Sequence, residues 1–208
     1  MSTPHPVGVI HGRFQVLHND HLRYLLAGRE RCRHLVVGIT NPDPSHTRSE
    51  AADAKRSSPA ANPLTYFERQ AMVRAALTEA GTNPADFTVV PFPVSFPELY
   101  RFYVPIDAVF FLTIYDDWGR RKRAYFQERG LRIEVLWEVA QNDKGISGTD
   151  VRRLIAQGDP WEALVPPAVA GLVRAFGLCE RLARENYSGS PCLAATCRPT
   201  SRAMKKTR

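Results

Sequence analysis

The chain predicts an α/β fold, a doubly wound parallel sheet with a C-terminal helical cap. Five short apolar runs suit strands buried on both faces: Val7 to Ile10, Leu35 to Ile39, Phe87 to Val94, Val109 to Ile114 and Ile133 to Trp137. Helical patterns separate them at about 20–31, 64–80 and 117–129, and a further one follows the last strand at about 149–157. Strand and helix in rotation imply right-handed crossovers and a parallel sheet. From Leu154 to Arg184 the pattern then reads as helical throughout, with Pro160 and Pro166 suited to first turns. With no linker and no internal repeat, residues 1–186 are expected to form one domain, capped from about residue 154.

Bulk properties narrow the function class. The 208 residues are 44% hydrophobic and 24% charged, an ordinary composition for one well-buried domain. No apolar run is long enough to cross a bilayer, and MSTPHP lacks the charged and apolar regions of a secretory signal. The net charge of +7 suggests nucleic acid until it is located. Beyond Glu185 stand Arg198, Arg202, Lys205, Lys206 and Arg208 with no acid, so the body is near neutral and argues against nucleic acid. Residues 187–208 lack periodicity and read as a disordered basic tail. Cys32, Cys179, Cys192 and Cys197 have no metal-ligand spacing and read as reduced thiols of a cytoplasmic protein.

The chemistry is concentrated in two segments. VGVIHGRFQVLHNDHLRYL, residues 7–25, reads as a buried strand that breaks at Gly12 and leads into an amphipathic helix. His18 and His21 open that helix, and Leu22, Leu25 and Leu26 form its buried stripe. Imidazole N–H groups and Arg13 at a strand's carboxyl end, facing a helix N-terminus, suit a polyphosphate. Imidazolium is accessible near neutral pH beside an anion, and Gly12 permits a close backbone approach. The second segment, ISGTDVRRLI at 146–155, places N-cap types Ser147 and Thr149 at a helix mouth, with Gly148 between them and Arg152 on the first turn. Such a pair can steady charge building on a transferring phosphoryl group and on leaving pyrophosphate without a covalent intermediate.

The motifs GRFQxxHxxH and ISGTxxR resemble the HxGH-type nucleotidylyltransferase superfamily, and most nearly the archaeal-type nicotinamide-mononucleotide adenylyltransferases. The likeness runs over about residues 7–184, supported by SHT at Ser45 to Thr47, NPLTYFERQAMV at Asn62 to Val73, FQERG at Phe126 to Gly130 and WEALVPPAV at Trp161 to Val169. It implies a Rossmann-like fold, Mg2+, attack by an acceptor phosphate on the α-phosphorus of a nucleoside triphosphate, and release of pyrophosphate. It further implies that Arg13, His18, His21, Ser147, Thr149 and Arg152 hold the triphosphate, with Gly12, Phe14 and Gly148 beside the nucleotide. The family often forms symmetric assemblies, so a homo-oligomer is an expectation of the resemblance. Aminoacyl-tRNA synthetases share the histidine signature but need a KMSKS loop, which is absent here.

Several positions depart from the family pattern. Asp20 replaces the signature's glycine; either Asn19 caps the helix and Asp20 favours its positive end, or Asp20 ligates Mg2+ or discriminates acceptors. The family's GSAQxSHT-like stretch becomes GITNPDPSHT, which makes Asn41 and His46 candidate acceptor contacts. The tryptophan that stacks on nicotinamide is replaced near Tyr100, which can still stack. TIYDDWGRRKR replaces GNPLVR, so Arg120 and Arg123 are candidates for a compact anionic acceptor, with a solvated helix face as the alternative. Asn41 to Pro63 is a long polar loop that reads as a lid or as a tolerated insertion.

In combination the departures are similar to a phosphonate-pathway branch of the superfamily, the phosphonoformate cytidylyltransferases. The expected reaction moves a nucleoside monophosphate from CTP, or else ATP, to a small phosphate or phosphonate acceptor. The alternatives are NAD synthesis from nicotinamide mononucleotide, transfer to phosphopantetheine or a flavin mononucleotide, and a non-catalytic nucleotide sensor. Trp137 is expected in the core, Trp161 and Leu164 as anchors of the cap, His34 at the surface, and Asp116 and Asp117 as helix caps.

Overall fold

The computed structural model describes residues 3–47, 61–139 and 145–186. Five strands, β1 (His5–Gly12), β2 (Cys32–Thr40), β3 (Phe87–Phe92), β4 (Val109–Ile114) and β5 (Arg132–Glu138), form one sheet in the order β3-β2-β1-β4-β5. Every neighbouring pair is parallel, as strand and helix in alternation require. The chain begins mid-sheet, runs outward through β2 to β3, then returns to lay β4 against the other side of β1. That reversal is the topological switch point, where doubly wound sheets open a crevice.

The strands extend beyond their apolar cores because ladder pairing continues past them, from His5↔Cys32 to Gly12↔Ile39. β3 carries Pro91, which an edge strand tolerates because one side of its ladder is unpaired. It ends at Phe92, two residues short of the expected Val94.

Helices cover both faces. On one side lie α1 (Asn19–Arg29), α2 (Tyr66–Glu79), α5 (Gly148–Gln157), α6 (Pro167–Ala175) and α7 (Leu178–Asn186). Their core joins Ile10, Leu25, Val37, Ile39, Met72, Val151, Trp161 and Val173. On the other lie the single turn α3 (Tyr100–Tyr103) and α4 (Asp117–Gln127), packed with Val9, Phe92, Phe110, Leu112 and Phe126. Each such fully buried aliphatic or aromatic side chain contributes about 1.5–3 kcal/mol. In α1 only Leu25 of the expected stripe is fully buried; Leu22 and Leu26 are half-buried against the same core.

The cap is less continuous than its periodicity suggests. Gly158 takes the left-handed conformation and ends α5, and Gly177, also left-handed, separates α6 from α7. Pro160 lies in the irregular connection between α5 and a short 3-10 turn. Pro166 is the N-cap of α6, whose first residue is Pro167. Trp161 is buried and Leu164 packs against the core, anchoring the cap as expected.

One ion pair ties the cap to the sheet layer. Arg181 of α7 donates from both terminal nitrogens to Glu68 of α2, at 2.8 and 2.9 Å. Glu68 also closes a capping box with Thr65, accepting from the Thr65 backbone N–H at 2.8 Å. Burial alone would raise the Glu68 carboxyl, but hydrogen bonds from Arg181 and Thr65 outweigh it and hold it below the usual range. The resulting stability is present above the unfolded carboxyl value, about 4.3, and is lost as pH falls through the lower folded value. Glu68→Ala is expected to destabilise the protein by about 2–4 kcal/mol in urea unfolding at neutral pH, with the deficit shrinking below pH ~4. An unchanged midpoint at neutral pH would remove the pair from this role.

Candidate active site

β1 and β4 pair only through Gly8↔Val109 and Val9↔Phe110. Beyond that point the two strands part, and the opening between their carboxyl ends is the mouth of a cavity of about 600 Å³. Its size suits a nucleotide. His11 and Gly12 form one lip and Leu112 and Thr113 the other, while His18, His21, Arg152, Trp118 and Lys122 stand around it. The hydroxyl of Tyr24, from α1, donates to the Phe111 carbonyl at 2.7 Å, beside the point where the two strands separate.

The two chemistry-bearing segments meet across a backbone seam. A Cβ on Gly148 would lie 2.4 Å from the Gln15 carbonyl oxygen, so only glycine permits the approach. Arg152 donates to that same Gln15 carbonyl and, from its other nitrogen, to Thr149 Oγ1 at 3.3 Å. Asp20 closes the seam from the opposite side: its carboxylate accepts from the Ile146 backbone N–H at 2.6 Å. Ser147 is the N-cap of α5, its hydroxyl accepting from the Asp150 backbone N–H at 3.2 Å. The start of α5 therefore faces the loop after β1, with its free N–H groups and positive dipole end directed at the cavity region.

The cap of α1 is an imidazole, which corrects the expectation for Asn19. His18 is the N-cap, its Nδ1 accepting from the His21 backbone N–H at 3.4 Å. Asn19 instead donates to the Ala163 carbonyl at 2.9 Å, fastening the cap to the site. Because His18 Nδ1 accepts, the neutral ring carries its proton on Nε2, a ready donor to a phosphate oxygen. The His18 and His21 rings stack with centroids 3.6 Å apart. Burial takes the His18 imidazole down to about 4, although the Asp20 carboxylate works in the other direction. Burial, then His18 and Arg13, hold His21 well below its ordinary value, partly opposed by the Val16 carbonyl. Burial thus favours the neutral form of both rings at pH 7, and the imidazolium expected beside an anion needs that anion to form. An adjacent phosphate raises both values, coupling proton uptake to binding.

Gly12 and Phe14 line the cavity, and both also serve the packing behind it. A Cβ on Gly12 would stand 2.9 Å from the Phe14 ring, so the glycine makes room for that side chain. Phe14 has a positive φ of 51° and is wholly buried, with its ring edge-on to His21 at 5.1 Å. It backs the histidines from the core and forms part of the cavity wall.

None of the five acceptor candidates lines the cavity. Tyr100 is buried, packs on Phe92 with centroids 4.6 Å apart and donates to the Val94 carbonyl; it is a core residue. Arg120 lies on the exposed side of α4, bound to Glu138 and Asp117, and Arg123 is exposed as well. His46 is held by the Asp43 carboxylate at 2.9 Å and packs edge-on to Phe96. Asn41, at φ 49°, gives its carbonyl to Arg69 at 2.8 Å. Residues 48–60, most of the expected lid, fall outside the described residues, as do the tail and its two cysteines.

The helical phase of α4 explains the miss: Trp118, Lys122 and Phe126, four apart, face inward, while Arg120, Arg121 and Arg123 face water. The Lys122 ammonium stands 5.0 Å above the Trp118 ring. Trp137 is likewise not in the core; it is half-buried on edge strand β5, donating to Tyr115 Oη at 3.0 Å, with Arg23 over its ring. Asp116 caps α4 as expected, accepting from the Gly119 N–H at 2.9 Å. His34 reaches Thr88 at 2.9 Å near the surface.

Two residues not singled out in the sequence matter for the site. Arg69, 1% exposed, donates to the carbonyls of Arg13, Thr40, Asn41 and Pro42, pinning the carboxyl ends of β1 and β2. His11 is 3% exposed, and both its ring nitrogens are buried without a hydrogen-bond partner among the described residues. Each such group typically costs about 1–3 kcal/mol.

A family model described as cytidylyltransferase-like matches residues 9–154, from the first strand through the second motif. The chain belongs to the cytidylyltransferase-like family. It is 57% identical over 175 residues to phosphonoformate cytidylyltransferase of Streptomyces viridochromogenes, covering 84% of this chain and 94% of that one. It is 29% identical over 176 residues to nicotinamide-nucleotide adenylyltransferase of Thermococcus kodakarensis, covering 84% and 86%. Among solved structures, the bifunctional NMN adenylyltransferase/ADP ribose pyrophosphatase of Francisella tularensis shares the fold, with TM-score 0.63 and 16% identity. That match covers 88% of this chain and about half, 53%, of the bifunctional one. This cytidylyltransferase-like chain is thus a nucleotidyltransferase, with a nucleoside triphosphate as one substrate and a small acceptor as the other.

For Mg2+, no group of three or more His, Cys, Asp or Glu side chains among the described residues is placed to hold a metal ion. The cavity wall offers Asp20 and Asp116, each with one oxygen taken by a backbone N–H. Mg2+ needs only one or two carboxylates when substrate phosphates and water complete its shell, so this donor set fits a metal carried in by the triphosphate. Among the described residues no helix is long and apolar enough to cross a membrane.

In this cytidylyltransferase-like fold the seam is the testable element. Gly148→Ala is expected to force the two motifs apart and lower kcat/KM by about a hundredfold or more, with the fold retained by circular dichroism. Activity within about twofold of the parent would show that the approach is not needed.

Proposed function

We propose that this enzyme transfers CMP from CTP to a small carboxyphosphonate of the phosphonoformate type, releasing pyrophosphate. The observation carrying this reading is the 57% identity to phosphonoformate cytidylyltransferase across 84% of this chain and 94% of that one. The cavity supports it. Tyr100, the sequence's candidate platform for nicotinamide, is sealed in the core, and three cationic residues, Arg13, Lys122 and Arg152, line a compact site.

In this reading a phosphonate oxygen attacks the α-phosphorus of CTP, and the bond from that phosphorus to the bridging oxygen of pyrophosphate breaks. The phosphonate is already ionised at neutral pH, so no general base is required. The nucleophile's electron pair forms the new P–O bond, and the leaving pyrophosphate retains the electrons of the old one. His18 Nε2–H, the His21 ring, the Arg152 guanidinium and the N–H groups at the start of α5 hold the β- and γ-phosphates and steady the charge that grows there. Arg13, Ser147 and Thr149 complete that grip. To reach phosphate, Arg152 turns from the Gln15 carbonyl while Gly148 and Asp20 keep the seam closed. Mg2+ carried in with the triphosphate would supply charge neutralisation, and Asp20 is the residue that would hold it in this reading. A cytoplasmic location and a homo-oligomeric state belong to the same proposal.

Pyrophosphate release should be measured for CTP, UTP, ATP and GTP against phosphonoformate and nicotinamide mononucleotide. The pair CTP and phosphonoformate is expected to give the highest kcat/KM, with a CMP adduct visible by phosphorus NMR. Preferential formation of NAD from ATP would replace this reading with the adenylyltransferase one, a role carried by relatives at 29% identity.

A further inference from the structure

His11 is a buried polar group at the place where the sheet opens. Along β1 it shares a face with Val9, and its ring packs between Phe92 and Phe126 at centroid distances of 5.4 and 5.3 Å. Pairing with β4 has ended two residues earlier, so the ring sits beside the gap lipped by Leu112 and Thr113. Neither ring nitrogen has a partner among the described residues, although the residue lines the cavity. A fold seldom keeps such a group unless something supplies its missing partner. Lys122 lines the same cavity, and its ammonium stands 5.9 Å from the Phe126 ring on which His11 packs. Its ammonium is close enough to depress the His11 imidazole further, after burial, below its ordinary value.

We infer that His11 and Lys122 form the subsite for the second anionic group of the acceptor, its carboxylate, while the acceptor's phosphonate faces the triphosphate. The inference rests on the acceptor class proposed above. A ring N–H of neutral His11 donates to one carboxylate oxygen, and the Lys122 ammonium neutralises the charge. Two flanking phenylalanine rings hold the imidazole in place and exclude water, which strengthens both contacts. The subsite therefore selects a short acceptor with two adjacent anionic groups over a simple phosphonate.

The test uses the full-length enzyme with CTP and two acceptors, phosphonoformate and methylphosphonate, which lacks the carboxylate. His11→Leu and Lys122→Met are expected to raise the KM for phosphonoformate about tenfold to a hundredfold, the usual worth of a hydrogen bond to a charged group. The KM for CTP and the efficiency with methylphosphonate should stay within about twofold. Leucine fills the space between the phenylalanines, and thermal melts check that both variants fold. An unchanged KM for phosphonoformate, or equal losses with both acceptors, would overturn the subsite. Nitrogen NMR of the His11 ring during titration with phosphonoformate separates this idea from the functional reading. A saturable shift without turnover sinks the reaction assignment and keeps the subsite. Turnover with neither a shift nor a change in KM keeps the reaction and removes the subsite.

Discussion

The contact between Gly148 and the Gln15 carbonyl governs this molecule. It brings a helix N-terminus to within van der Waals distance of the loop that leaves the first strand, although the two segments are far apart in sequence. Arg152 and Asp20 secure it from either side, one by donating to the Gln15 carbonyl and the other by accepting from Ile146. Without that closure, the histidines on α1 and the N–H groups of α5 would be separate features. With it, neutral donors, a guanidinium and a helix dipole surround one anion-sized space, and no covalent intermediate is required.

The remaining architecture holds the seam in register. Arg69 collects the carbonyls that end β1 and β2, so the loop carrying Arg13 and Phe14 cannot drift relative to the sheet. Desolvation pulls the Arg69 guanidinium down to about 10, and it stays charged because several carbonyl dipoles replace the lost water. The Glu68–Arg181 pair and the Asn19 bond to Ala163 fix the cap over the same region. Cys32 is buried, and that burial raises its thiol to about 11, which leaves it an inert part of the packing.

The central strands β1, β2 and β4 were legible because burial on both faces makes each a continuous apolar run, and the alternation of all five with helices leaves few topologies. The two motifs were legible because the histidines, the N-cap serine and the arginine occupy local positions that a linear reading resolves. The acceptor side was not. Four consecutive basic residues on α4 do not reveal which one turns inward, since that depends on how Trp118 and Phe126 pack. A tyrosine that stacks on a ligand and one that fills a core, as Tyr100 does, look identical until the neighbouring helix is placed. His11 was hidden by its position at the end of an apolar strand, and His18 took the capping role because imidazole Nδ1 accepts as well as the asparagine beside it. The cap read as continuous helix because its two left-handed glycines lie within an otherwise amphipathic pattern.

Catalysis here depends on both motifs gripping a single triphosphate. A crystal structure of the protein with CTP and Mg2+, acceptor omitted, tests this most directly. The β- and γ-phosphate oxygens should lie within about 3 Å of His18 Nε2, the Arg152 guanidinium and the first N–H groups of α5 together. A triphosphate held by only one motif, or seated outside the gap between β1 and β4, would contradict it.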